Sequence, residues 1–165
     1  MTGPAARPAT AQSAVGKARF DLPSKSRTEK ARARRILDGL YRHYPDARCE
    51  LDYSNPRELL IATILSAQAT DVSVNKATPA LFKAFPEAAD YAAAAPEKIE
   101  GYIKSIGLHR NKARSLHAAM STILERFDGQ VPRTMEELLT LRGVARKTAN
   151  VVLGNAFGLN EGVVV

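Results

Sequence analysis

Apolar residues recur along most of this chain at the three- and four-residue spacing of a helix face. No segment shows the sustained alternation of apolar and polar residues that is typical of a strand. Prolines and glycines separate the apolar stretches, as at Pro45, Gly107 and Gly158. The pattern therefore predicts an all-α fold. The predicted helices cover about residues 28–44, 56–65, 71–85, a short element near 91, 96–106, 111–127, 135–141 and 146–157.

The strongest of these patterns lies at residues 59–65, which are apolar nearly all round and predict a central, fully buried helix. Pro56 after Asn55 is typical of a helix start. Thr70 is placed to cap the next helix, and Thr134 with Glu137 predicts a capping box for the helix at 135.

Composition predicts a change of organisation near the start of the chain. Residues 1–27 are basic, rich in alanine, proline and serine, and poor in large apolar groups, so we expect a disordered tail. One helix follows at 28–47, then a main domain at 48–160 and a connector at 161–165.

The net charge of +7 does not by itself indicate a nucleic-acid partner for the folded part. Residues 1–35 hold nine basic and two acidic side chains, which account for the whole excess, and the remainder is balanced. Cys49 is the only cysteine, so neither an internal disulfide nor a cysteine-rich metal site is expected. Without a long apolar run or a secretory signal, we expect a cytoplasmic protein with no membrane partner.

The segment Leu141-Arg142-Gly143-Val144-Ala145-Arg146-Lys147 carries the clearest chemical signal. A glycine turn between two helices leaves backbone N–H groups at a helix start, where they can bind a phosphate. Lys147 falls in the first turn, where the helix dipole and neighbouring Arg146 disfavour its positive charge and favour a nucleophilic amine. On the motif alone, a tight turn with solvated charges and non-catalytic DNA binding remain alternatives.

Four segments together resemble the endonuclease III family of helix-hairpin-helix DNA glycosylases. They are the sequence SAQATDVSVNKAT at 66–78, residues 143–153, YIKSIGL at 102–108 and GQVP at 129–132. The resemblance covers about residues 30–165. It implies a six-helix glycosylase domain at 48–160, with the helix-hairpin-helix at about 135–157.

The resemblance implies removal of oxidised pyrimidines from duplex DNA and cleavage of the abasic site by β-elimination. Lys147 would be the nucleophile and form a Schiff base with the sugar. Gln68 would fill the gap left by the flipped nucleotide, and Leu108 would wedge into the opposite strand. From the residues alone, the favoured reading of Gln68 is a polar helix end, and Leu108 is equally read as a hydrophobic contact after the glycine that ends a helix.

Further positions follow from the same resemblance. Ser66 and Asp71 would line the pocket, and the N–H groups of Gly143, Ala145 and Lys147 would hold a phosphate. Arg142, Arg146 and Thr148 would also contact DNA. Arg110, Lys112 and Arg114 would add phosphate contacts or form a solvated helix face, and His109 is a weaker DNA candidate.

The sequence departs from the family pattern at the hairpin and at its end. Arg142 replaces a proline, and Ala145 replaces a glycine, which is tolerated if the position has negative φ, as we expect. The catalytic aspartate of the family would follow Val165, and the four cysteines of its [4Fe-4S] cluster are not in this sequence. We therefore interpret the chain as the N-terminal two-thirds of a longer enzyme, without a bound cofactor and with impaired activity.

That interpretation makes residues 28–47 a helix of an incomplete cluster domain, with its apolar stripe exposed. The expected partner is duplex DNA with a damaged or abasic site, bound by a monomer in the nucleoid. Two alternatives remain: a non-enzymatic helix-hairpin-helix module that binds DNA, and a helical protein-interaction domain.

Overall fold

The computed structural model describes residues 26–162 and 164, and every regular element within this part is a helix, which confirms the all-α prediction. The predicted basic tail at 1–27 falls almost wholly outside the described residues, as does part of the connector at 161–165. The helices are α1 (Arg27–His43), α2 (Pro56–Ser66), α3 (Asp71–Ala84), α4 (Ala88–Ala93), α5 (Pro96–Ile103), α6 (His109–Arg126), α7 (Met135–Leu138) and α8 (Arg146–Phe157).

The chain divides into two compact units between Ala47 and Arg48. In the first, α1 begins with a capping box in which Ser26 accepts from the Glu29 N–H and the Glu29 carboxylate accepts from the Ser26 N–H. None of its residues is buried, and its apolar stripe is at least half exposed. The stripe comprises Ile36, Leu37, Leu40 and Tyr41.

The second unit is built around α2, all of whose residues from 59 to 65 are buried. Asn55 caps this helix by accepting from the Glu58 N–H, and Pro56 occupies its first turn, where a missing N–H costs nothing. The helix packs against α3, α6 and α8. An apolar surface on every side therefore places α2 at the centre, as its sequence predicts.

Helix α6 is the second organising element, because α4 and α5 both pack against it. Its buried face includes Leu116, Met120 and Ile123, and Tyr91 of α4 is fully buried. The aromatic rings of Tyr91 and Phe85 lie 4.9 Å apart between centroids, so the small α4 contributes one large anchor to the core.

Three helix ends differ from prediction by two residues or more. Helix α5 ends at Ile103, and the buried Ile106 lies in the turn that follows. Helix α6 begins at His109, two residues early, because Leu108 adopts a left-handed conformation at the N-cap. Helix α7 ends at Leu138, and beyond it the N–H groups of Thr140 and Leu141 bond three residues back, to the carbonyls of Glu137 and Leu138.

The predicted capping box at α7 is formed only in part. Thr134 accepts from the Glu137 N–H at 3.3 Å as expected. The Glu137 carboxylate accepts from the Thr134 hydroxyl at 2.7 Å, whereas a full capping box would have it accept from the backbone.

Candidate nucleic-acid interface

The turn between α7 and α8 depends on Gly143. Its φ of +84° lies in the left-handed region, and the Val144 N–H closes the turn on the Leu141 carbonyl at 3.1 Å. A Cβ built on Gly143 would lie 3.0 Å from Cβ of Ser115 in α6. Backbone conformation and lack of space therefore both require glycine here.

Ala145 is the N-cap of α8 and has φ −103° and ψ 173°, an extended conformation that any residue adopts. The expectation that alanine is tolerated here is confirmed. Because alanine has no side-chain acceptor, Ala145 makes no capping bond to the first N–H groups of α8. The first N–H groups and the positive end of the helix dipole can therefore interact with an external anion.

The charged residues of the hairpin are exposed. Arg142, Arg146 and Lys147 all have accessible side chains, Thr148 is half-buried, and the first turn of α8 contains no acidic residue. The arrangement presents an amine and two guanidinium groups around the same helix start. It can neutralise a phosphate and place the Lys147 amine beside it.

Two further candidate residues share a rare backbone conformation. Gln68 has φ 54° and Leu108 has φ 60°, and among the described residues Asp128 is the one other non-glycine residue with positive φ. This region costs a non-glycine residue about 1–3 kcal/mol and persists where the surrounding structure enforces it. Gln68 is exposed, and Leu108 is 56% exposed.

The sequence leaves two readings open for each of these residues, and their conformation and exposure can be compared with both. Gln68 directly follows Ala67, the C-cap of α2, and has the left-handed conformation in which many helices end, so both readings of Gln68 fit the structure. An exposure of 56% leaves Leu108 largely in solvent, which disfavours a hydrophobic capping contact. Strained, exposed side chains on neighbouring turns are typical of a binding surface.

The two turns are neighbours in space. A Cβ built on Gly107 would lie 3.9 Å from the Gln68 carbonyl oxygen, so the turn before α6 contacts the turn after α2. Gln68 and Leu108 therefore belong to one surface.

The predicted pocket residues flank the Gln68 turn. Ser66 is the last residue of α2, and its hydroxyl donates to the Thr63 carbonyl at 3.0 Å. Asp71 is the first residue of α3, where a carboxylate is favoured by the helix dipole, and it is half-buried. Thr70 caps α3 by accepting from the Ser73 N–H, as predicted.

Lys112 corrects the prediction for the start of α6. Arg110 and Arg114 are exposed, but Lys112 is only 5% exposed, and its Nζ donates to the Leu65 carbonyl at 2.8 Å. It is neither a phosphate contact nor part of a solvated face. Burial lowers the pKa of the Lys112 ammonium, because desolvation disfavours its charged form.

His109 and Arg110 are both engaged by one carboxylate. The His109 Nδ1 lies 3.1 Å and the Arg110 Nε lies 3.7 Å from Oε1 of Glu100 in α5. Leu108, Arg110 and Arg114 also line an open concavity of about 440 Å³. The candidate residues at this end of α6 therefore surround the exposed Leu108.

Sequence reasoning missed two contacts, those of Lys112 and Ser115. The signal for Lys112 was its position four residues before buried Leu116 and eight before buried Met120, on the inner face of α6. Nothing in the sequence indicates that Ser115 lies against Gly143.

The residues of this sequence do not fit an iron–sulfur cluster. Ligation takes four thiolates, and Cys49 is the sole cysteine. Among residues 26–162, no group of three or more histidine, cysteine or acidic side chains is arranged to hold a metal ion. None of the helices described is long and apolar enough to cross a membrane.

A buried central helix, a left-handed glycine between α7 and α8, and an uncapped start to α8 define an all-helical protein with a helix-hairpin-helix motif. Residues 61–156, more than half of the chain, match the model of the HhH-GPD superfamily of base excision DNA repair proteins. The chain belongs to this superfamily.

Individual relatives agree with that membership. The chain is 55% identical over 144 residues to endonuclease III of Synechocystis, covering 87% of this chain and 66% of that protein. It is 46% identical to endonuclease III of Escherichia coli K12, covering 78% of this chain and 61% of the relative. The chain thus spans somewhat less than two thirds of the length of these relatives.

A solved structure of a trapped covalent intermediate of endonuclease III with DNA, an estranged-adenine complex, superposes with a TM-score of 0.73 at 49% identity. The match covers 78% of this chain and 61% of the other. The fold is therefore shared over most of the described helices.

Proposed function

We propose that this chain carries the DNA-binding surface and nucleophile of a bifunctional DNA glycosylase and abasic-site lyase that acts on oxidised pyrimidines. The observation that carries the proposal is the exposed Lys147 in the first turn of α8, directly after an N-cap whose side chain makes no capping hydrogen bond. Superfamily membership and the covalent DNA intermediate of a relative support the same chemistry.

The hairpin would bind the DNA backbone. In the proposal, the N–H groups of Gly143, Ala145 and Lys147 converge on one phosphate of the damaged strand. The side chains of Arg142, Arg146 and Thr148 add contacts that are independent of sequence. The exposure of both arginines supports this role.

The surface formed by Gln68 and Leu108 would recognise the gap in the duplex. Once the damaged nucleotide is flipped out, the Gln68 amide can donate to and accept from the orphaned base. Leu108 would unstack the opposite strand as an apolar wedge. Ser66 and Asp71, at the ends of α2 and α3, would line the pocket that receives the flipped nucleotide.

The chemical step uses the Lys147 amine. Attack of its nitrogen on the anomeric carbon breaks the bond to the base, which leaves with a proton, and opening of the sugar ring then gives an iminium. At an abasic site the nitrogen adds to the aldehyde instead, and loss of water gives the same iminium. Removal of a C2′ proton then allows the bond from C3′ to the phosphate oxygen to break. The DNA strand is cleaved, and the sugar fragment stays attached to the lysine until hydrolysis.

Base excision requires more than the amine, because positive charge develops on the sugar as the base leaves. The resemblance assigns the stabilising carboxylate to the position after Val165, which is not among these residues. Cleavage of an abasic site needs no such stabilisation, since the base has already left and the sugar reacts with the amine through its aldehyde form. In the cell, the protein would act on chromosomal DNA in the nucleoid as a monomer.

Borohydride trapping on a duplex with one abasic site tests the proposal. Reduction converts the iminium into a stable amine link, so the chain should become covalently attached to the DNA. Lys147→Ala should abolish attachment, whereas Lys83→Ala, at an exposed position in the last turn of α3, should not.

Equal trapping by Lys147→Ala and the unsubstituted chain would contradict the assignment of the nucleophile. Binding to DNA without any trapping would instead favour a non-enzymatic helix-hairpin-helix module. Such a module would bind intact and abasic duplexes equally and with steep salt dependence.

A further inference from the structure

Lys112 is a buried basic residue that the proposed chemistry does not use. Its Nζ donates to the Leu65 carbonyl at 2.8 Å, and its neighbours along the inner face of α6 are apolar. Burying an ammonium group is costly unless it is well compensated. Burial also lowers the pKa of Lys112, but the charged and the neutral amine can both donate to a carbonyl.

The carbonyl that Lys112 engages lies where α2 ends. Leu65 is the second-last residue of that helix, so its carbonyl is among those without a partner inside the helix. The chain leaves the helix at Ala67 and reaches left-handed Gln68 only three residues after Leu65. Lys112 therefore holds the end of α2 at the point where the strained turn containing Gln68 begins.

The same part of α6 touches the other two elements of the interface. The backbone N–H of Lys112 donates to the carbonyl of Leu108 at 3.0 Å, which closes the first turn of α6 on that residue. Ser115, one turn further on the same face, lies against Gly143 of the hairpin. Two turns of α6 thus contact the end of α2 that leads into the Gln68 turn, Leu108 and the hairpin.

We propose that Lys112 is a positioning residue, which sets the Gln68 turn at a fixed distance from Leu108 and the hairpin so that all three can engage a gapped duplex together. This inference rests on the proposed function. A role in stability alone would leave the discrimination between gapped and intact DNA unchanged.

The test compares affinity for a duplex containing a tetrahydrofuran abasic analogue with affinity for the same duplex intact. Lys112→Met keeps the stem of the side chain and removes its donor. We expect it to lower the preference for the abasic duplex about tenfold, the lower end of the range expected for a hydrogen bond made by a charged group. Lys83→Met, which removes an exposed lysine from α3, should keep the full preference.

A double-mutant cycle separates positioning from an independent effect. If Lys112 acts through Gln68, then Gln68→Ala should lower the preference by a similar factor, and the double variant should lose little more. A double variant whose loss of preference equals the product of the two single losses would overturn the inference. An unchanged preference in a folded Lys112→Met variant would overturn it as well.

Two further outcomes concern the unsubstituted chain and the folding of the Lys112→Met variant. If the unsubstituted chain shows no preference for the abasic duplex, the proposed function itself fails. If Lys112→Met does not fold, as judged by circular dichroism, Lys112→Gln replaces it, because its uncharged amide is too short to reach Leu65. The same loss is expected, and an unchanged preference would again overturn the inference.

Discussion

Residues 59–65 of α2 and the turn at Gln68 are neighbours in the chain but differ in burial and in backbone conformation. The helix is fully buried and has regular geometry, whereas the turn is exposed and contains a left-handed glutamine. The same contrast separates the apolar stripe of α6 from Leu108 at its start. Favourable packing lies in the core, and two of the three left-handed non-glycine residues of the described part lie at the surface proposed to bind DNA.

The difference shows how a small helical protein can maintain strained side chains on its surface. Packing in the core determines where each helix ends. The turns must then adopt the backbone conformation that connects one helix end to the next, even where that conformation is strained. Removal of a core side chain should therefore lower stability, whereas glycine at a strained surface residue should raise it.

The largest effect is expected in the core. Leu60→Ala removes a fully buried side chain from the centre of α2 and should lower the free energy of unfolding by about 2–5 kcal/mol. Urea denaturation measures this change. A loss below about 1 kcal/mol would show that α2 is not the centre of the fold.

Gly143→Ala should have the next largest effect, because it strains a left-handed position and brings a Cβ to 3.0 Å from Ser115. We expect a loss of about 1–3 kcal/mol in stability together with weaker DNA binding. Gly154→Ala is the matched control, since that glycine is helical and has open space around it. The control should stabilise the chain by up to about 1 kcal/mol, and similar behaviour of both variants would refute the role of Gly143.

Leu108→Gly is expected to raise stability, whereas Leu60→Ala and Gly143→Ala lower it. Glycine relieves the left-handed strain, and the exposed side chain contributes little burial, so a gain of up to about 1 kcal/mol is expected. The preference for abasic DNA should fall at the same time. Leu124→Gly is the control, because this exposed leucine is helical and glycine should destabilise α6 by about 1 kcal/mol. A Leu108→Gly variant that loses stability but keeps its preference would contradict the account.

Ala145→Gly is expected to change least. With φ −103°, the position has no need of glycine, so stability should shift by no more than about 1 kcal/mol, in the destabilising direction. DNA binding should be unchanged, because the backbone N–H is retained. A large gain in binding would mean that alanine impairs the hairpin.

The elements with clear terminal signals could be predicted from the sequence. Helix α8 matches its predicted range, since Gly158 ends it in a left-handed conformation. Helix α2 begins where Asn55 and Pro56 indicate, and Thr70 caps α3 as expected. In each case a local residue type determines the end of the helix.

The surface could be predicted only in part. Gln68 and Leu108 were selected by resemblance, but their left-handed backbones are set by the helices around them and have no local signal such as glycine. Lys112 was misread because lysine is usually exposed, and a distant carbonyl in α2 decides its burial. The local sequence pattern does not reveal contacts between residues that are far apart in the chain.

The most direct test of the central claim is to locate the covalent link in the borohydride-trapped complex. After digestion with a protease that does not cut at lysine, mass spectrometry of the peptides identifies the residue that carries the sugar fragment. We predict a single modified site at Lys147, in the first turn of α8. Attachment at another amine, such as Lys104 or the N-terminus, with Lys147 unmodified, would contradict the account.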